Sequence, residues 1–221
     1  MRKSRQERPH SFHPDAAPQA LGPSSALPAF LLASAIVFGV AALVAAGMAA
    51  GKWTFAEISR DPSAQFGFPL YGGFVSTLGF AGWTIAATAS ALAATARPQL
   101  RRLMLPVFLL SALLALDDQF MLHDAVLPRF GIPEKLALLL YGVLCLRALW
   151  PFLPDLLRLK LPLLAIALAS FVFSLLIDNV ISFDTGAALF LEDTAKFIGI
   201  VFWATHWFGQ SAQALGGPAP R

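Results

Sequence analysis

Apolar residues in this chain come in long runs broken by short polar connections, without the strict alternation of a half-buried strand. Six runs stand out: Pro28 to Ala50, Phe68 to Ala96, residues 103–123, Glu134 to Trp150, Leu161 to Ile181 and Ala187 to Phe208. At a rise of about 1.5 Å per residue, runs of this length suit a hydrocarbon core roughly 30 Å thick. The pattern predicts an all-α integral membrane bundle of six transmembrane helices over 28–208. A disordered polar tail (1–27) precedes it and a flexible Gly/Pro tail (209–221) follows. The aromatic, charged stretch 51–67 reads as a loop, with a short interfacial helix around Trp53 to Ser59. Gly72/Ser76 and Gly73/Thr77 are small-xxx-small pairs, which allow close helix approach.

Composition agrees with the membrane class. The chain is 57% hydrophobic and 13% charged, against about 25% charged in ordinary soluble domains. Its net charge of +3 is scattered over tails and loops, so nucleic acid is not an expected partner. The bilayer is the expected one, with a small solute, a lipid or a second membrane protein beyond it. Cys145 is the only cysteine, so an internal disulfide is excluded. Phosphate-loop, zinc-finger and nucleophile-elbow patterns are absent from the sequence.

Basic residues set the expected orientation. An inside N-terminus puts Arg2, Lys3, Arg5, Arg8, Arg97, Arg101, Arg102, Arg147, Arg158, Lys160 and Arg221 in the cytoplasm. Only Lys52, Arg60, Arg129 and Lys135 then fall outside, so both termini read as cytoplasmic.

Polar residues inside the runs carry the candidate chemistry, because ionisable groups within a span are costly and mark function by default. The third run ends in Leu116-Asp117-Asp118-Gln119-Phe120-Met121-Leu122-His123-Asp124. Helical rise puts Asp117 about 21 Å above Leu103, and Asp178 about 25 Å above Leu161. Glu192, Asp193 and Lys196 enter with the first turns of the sixth run. All three stretches therefore place charge in the outer half of the bilayer. Continued helical spacing puts Asp117 and Asp124 on one face of the third span, with Asp118 about 100° away. Glu192 stands four residues before Lys196, the favourable order for an ion pair. Asp117, Asp118, Asp178, Glu192 and Asp193 face the single Lys196, an excess that needs protons, a bound cation or water in a low dielectric. The reading is a cation- or proton-binding site made of Asp117, Asp118, His123, Asp178, Glu192, Asp193 and Lys196. A divalent cation would draw on Asp117, His123, Asp178 and Glu192. His206, between Trp203 and Trp207 at the inner end, reads as an aromatic-belt residue.

The stretch from Leu116 to Asp124, with Glu192-Asp193-Thr194-Ala195-Lys196-Phe197-Ile198-Gly199, resembles a group of uncharacterised bacterial multi-pass membrane proteins. That resemblance runs from Trp53 onward and implies a bacterial inner membrane but no particular activity. A fainter similarity is to the alkaline-ceramidase-like membrane hydrolases, which hold zinc with histidines. It implies that Asp117, His123 and Ser76 take catalytic parts in a metal-dependent hydrolase acting on lipid or a lipid-linked substrate. Those enzymes have seven helices and several histidine ligands, whereas this chain offers six runs and one outer histidine, His123.

Overall fold

The computed structural model describes residues 23–54, 56–57, 65–69, 71–158, 161–180 and 186–216, and among these the structure is helical with no strand. The tail over 1–22, with His10 and His13, lies outside the described residues, as do residues 182–185 of the outer loop expected at 182–187. Two compact units divide the chain, Met1–Gly72 and Gly73–Arg221.

The first unit holds α1 (Pro23–Ala49), so the helix begins within the expected polar tail. After α1 the chain folds back, and Trp53 Nε1 donates to the Val44 carbonyl at 3.3 Å. The indole lies over Gly47, in space that any side chain at position 47 would fill. Thr54 and Glu57 then form a capping box. The Thr54 amide donates to Glu57 Oε2 at 2.6 Å, and the Glu57 amide returns a bond to Thr54 Oγ1 at 3.3 Å. Those Thr54 donors hold the exposed Glu57 carboxyl below its ordinary range. Ala56 and Glu57 are helical, and the rest of the helix expected from Trp53 to Ser59 lies mainly outside the described residues.

The second unit comprises α2 (Phe74–Ala96), α3 (Arg101–Phe120), α4 (Glu134–Leu149), α5 (Pro162–Val180) and α6 (Gly186–Gly216). A 3-10 turn at Pro98–Leu100 joins α2 to α3, and a second at Trp150–Phe152 follows α4. Four helical segments are long and apolar enough to cross a membrane: Phe30–Ala49, Phe74–Ala96, Pro98–Phe120 and Glu134–Leu157. Large apolar side chains such as Phe38, Leu109, Leu139 and Val172 point outward. Several apolar helices with greasy outer surfaces are the mark of a membrane protein.

Helix α2 packs on α3 and α6, and α6 packs on α5. The small-residue stripe that permits this lies deeper than the sequence pairs suggest. Gly73 precedes the helix at φ 72, a left-handed conformation that suits glycine, so Gly72 and Gly73 make the entry turn instead. Contact falls on Gly82, where a Cβ would stand 2.6 Å from Ile200 Cγ2. Gly199 similarly seats the Phe171 ring, 2.5 Å from where its Cβ would be. Around these contacts Trp83 stacks on Phe171 at 5.4 Å and meets Trp203 edge-on at 5.9 Å.

This aromatic core corrects the reading of the inner end. Trp203, His206 and Trp207 are buried, not interfacial. The imidazole of His206 packs edge-on to Trp207 at 4.8 Å. Helix α6 also continues to Gly216, past the expected end of the span at Phe208 and into the stretch expected to be a flexible tail.

Candidate functional site

Helix α3 ends at Phe120 because Met121 adopts a left-handed conformation (φ 49, ψ 50), the sole positive-φ non-glycine among the described residues. The chain then turns back through a π-helical turn, Leu122–Val126, closed by the Val126 amide on the Met121 carbonyl at 3.2 Å. Asp117 stands in the last turn of α3 and receives what comes back. Its Oδ1 accepts the His123 backbone N–H at 2.9 Å, and its Oδ2 lies 2.6 Å from His123 Nδ1. Tyr141, from the middle of α4, donates its hydroxyl to Asp117 Oδ1 at 2.9 Å. A buried carboxylate with three donors is well compensated.

The other ring nitrogen of His123 faces a second acid, with Nε2 3.1 Å from Asp124 Oδ1. Neutral imidazole carries one N–H, while the imidazolium carries two. Both ring nitrogens of His123 lie within hydrogen-bonding distance of carboxylate oxygens, so the environment suits the protonated ring. The hydrogen-bonding carboxylate of Asp117 and the nearby charge of Asp124 both favour the charged ring.

Asp118 points to a different partner. Its Oδ1 lies 2.6 Å from Lys196 Nζ on α6. Gly79 on α2 makes room, since a Cβ there would stand 3.0 Å from Asp118 Oδ2. The short contact of Lys196 is therefore with Asp118 on another helix, in place of the expected Glu192. Lys196 also feels the charges of Asp117 and Asp124, which ties the two pairs into one electrostatic cluster.

The remaining sequence candidates stand further out. Glu192 is half-buried and lies in the field of Asp178, Asp193, Lys196 and Asp124. Asp178 and Asp193 are exposed, at the end of α5 and in the first turns of α6. The site is thus two directly contacting pairs, Asp117–His123 and Asp118–Lys196, coupled to each other through charge, while Asp178 and Asp193 act on Glu192. Asp124 does not share a helical face with Asp117, because the helix ends between them, and its direct contact with the group is with His123. Ser76 is exposed in the first turn of α2. Among the described residues, no three His, Cys, Asp or Glu side chains gather as metal ligands, so the divalent-cation set of Asp117, His123, Asp178 and Glu192 is not assembled.

Sequence reasoning missed Tyr141. A phenol in the middle of an otherwise apolar run was the available signal, since a buried hydroxyl needs a partner.

Residues 26–208 match the family described as "Domain of unknown function (DUF8692)", and the chain belongs to that family. No curated protein and no solved structure matches it.

Proposed function

We propose that this member of the DUF8692 family is a proton-binding protein of the bacterial inner membrane. In this reading six spans cross the bilayer with both termini cytoplasmic, and the Asp117–His123 pair lies in its outer half. The protein takes up and releases a proton there, as a transporter or as an accessory subunit of one. One observation carries the reading: His123 has a carboxylate oxygen at each ring nitrogen, 2.6 Å and 3.1 Å away. That arrangement holds a proton on a group whose ordinary pKa already lies near neutrality.

Each residue has a part. Asp117 compensates the imidazolium and fixes which nitrogen it faces. Tyr141 holds the carboxylate in place. His123 lies beyond the end of α3 with 17% of its side chain exposed, which gives the proton a way out. Lys196 neutralises Asp118, so Asp117 need not share its proton with a second bare carboxylate. Glu192, Asp178 and Asp193 make the surroundings negative, which raises the local concentration of cations. A metal-dependent lipid hydrolase would need a ligand set for metal-bound water, and no arrangement among the described residues favours it.

The test is proton flux. Protein reconstituted in liposomes that enclose a pH-sensitive dye should dissipate an imposed pH gradient faster than empty liposomes. Asp117→Asn should return the rate to the empty-liposome level. Equal rates for the wild type and Asp117→Asn would reject the transporter form of the proposal.

A further inference from the structure

The end of the bundle away from the Asp117 site carries a second feature, at the corner where α2 turns into α3. A groove of about 320 Å³ opens there, floored by Ala91, Ala94, Leu105 and Phe108 and rimmed by Thr95 and Arg101. The Thr95 hydroxyl is already bonded to the carbonyls of Ala91 and Leu92, at 3.0 and 2.9 Å. Arg101 is therefore the charged group at an otherwise apolar cleft. Its neighbour Arg102 is also exposed, and Arg97 stands one turn away with its guanidinium 3.5 Å from the Leu215 carbonyl.

Along the chain, no Asp or Glu occurs between residues 62 and 116. Among the described residues, neither Arg101 nor Arg102 has a carboxylate partner. The corner also joins two segments that are long and apolar enough to span a membrane, Phe74–Ala96 and Pro98–Phe120, so it belongs at the headgroup level. Guanidinium groups there face phosphates, and basic pockets between transmembrane helices hold anionic headgroups.

We propose that the α2–α3 corner binds one anionic phospholipid, its phosphate on Arg101 and Arg102 and an acyl chain along the Ala91–Leu105–Phe108 groove. Charge selects the headgroup, because a zwitterionic lipid brings its own cation to the same place. The groove contributes the apolar part, which a free phosphate ion lacks. This site is independent of the Asp117–His123 pair and stands or falls separately from it.

The experiment uses the full chain in a non-ionic detergent, titrated separately with dioleoyl phosphatidylglycerol, dioleoyl phosphatidylcholine and inorganic phosphate. Binding is followed by native mass spectrometry and by the thermal unfolding midpoint. Phosphatidylglycerol should bind saturably, with one lipid per chain retained, and raise the midpoint more than phosphatidylcholine does. Arg101→Gln should weaken phosphatidylglycerol binding about fivefold, the effect of one basic group near a lipid surface. It should leave the lipid-free midpoint unchanged because Arg101 is exposed. Thr95→Trp, which fills the groove from its exposed rim, should weaken both lipids. Equal binding of the two lipids would overturn the proposal, as would full retention of the phosphatidylglycerol preference in Arg101→Gln. An equal response to inorganic phosphate would assign the corner to a free anion and overturn it too.

Discussion

Asp118 on α3 and Lys196 on α6 meet at 2.6 Å, seventy-eight positions apart in the chain, with 8% of the Asp118 and 41% of the Lys196 side chain exposed. The asymmetry in exposure makes the pair unequal under mutation. Lys196→Met strands a buried carboxylate, and breaking such a pair costs about 2–3 kcal/mol once the partial exposure of the lysine is allowed for. Asp118→Asn strands an ammonium that reaches outward, and should cost about 1 kcal/mol or less. The double variant should be more stable than the sum of the two losses implies. Unfolding midpoints of the four proteins decide it, and strictly additive losses would mean that the two side chains do not interact.

Three buried serines separate a used hydroxyl from two unused ones. Trp203 Nε1 donates to Ser111 Oγ at 3.0 Å, whereas the buried hydroxyls of Ser90 and Ser211 have no hydrogen-bond partner among the described residues. Ser111→Ala should cost about 1–3 kcal/mol, because it leaves the indole N–H without an acceptor in the core. Ser90→Ala and Ser211→Ala remove an uncompensated polar group, so each should leave stability equal or raise it by about 1 kcal/mol. Thermal or denaturant unfolding of the three single variants is sufficient, and the same loss in all three would contradict the account.

Glycine substitutions test where the helices touch. Gly199→Ala would drive a methyl group into the Phe171 ring, and Gly82→Ala into Ile200. Overpacking of this kind costs about 1–3 kcal/mol. Gly142, on α4, has open space where its Cβ would be, so Gly142→Ala should be neutral or stabilising. If Gly142→Ala were the most damaging of the three, the helix contacts described above would be wrong.

The helices themselves were legible because a bilayer demands apolar runs of a fixed minimum length, and prolines and arginines punctuate those runs. The end of α2 at Ala96 follows from Pro98, which disfavours a helical Arg97, and the start of α4 at Glu134 follows from Pro133. The fine geometry of the site was not legible, for a local reason and a tertiary one. Helical spacing carried through Met121 assigns Asp124 to the face of Asp117, but one left-handed residue ends the helix and brings His123 there instead. Periodicity along one helix also cannot identify a partner on another. It favoured Glu192 for Lys196, while Gly79 opens the space that lets Asp118 take that place. The same limit applied to Trp203, His206 and Trp207, whose tryptophans resemble a membrane-interface belt in sequence and are buried core in the fold.

The central claim is that His123 holds a proton because Asp117 faces it, and titration of His123 tests this most directly. Two carboxylates facing the ring favour its charged form, so the stability gained from the pair should be fully present below the ordinary imidazole value. It should be lost as pH rises through the folded value. The measurement is the titration of His123 by NMR on full-length protein with labelled histidine, assigned by comparison with His123→Gln. In the wild type the midpoint should lie above the ordinary imidazole value. Asp117→Asn should bring it down, because the hydrogen-bonding anion is gone. Tyr141→Phe should push it further up, because Asp117 then loses a competing donor and bonds the imidazolium more strongly. A wild-type midpoint at or below the ordinary imidazole value, unmoved by Asp117→Asn, would contradict the account.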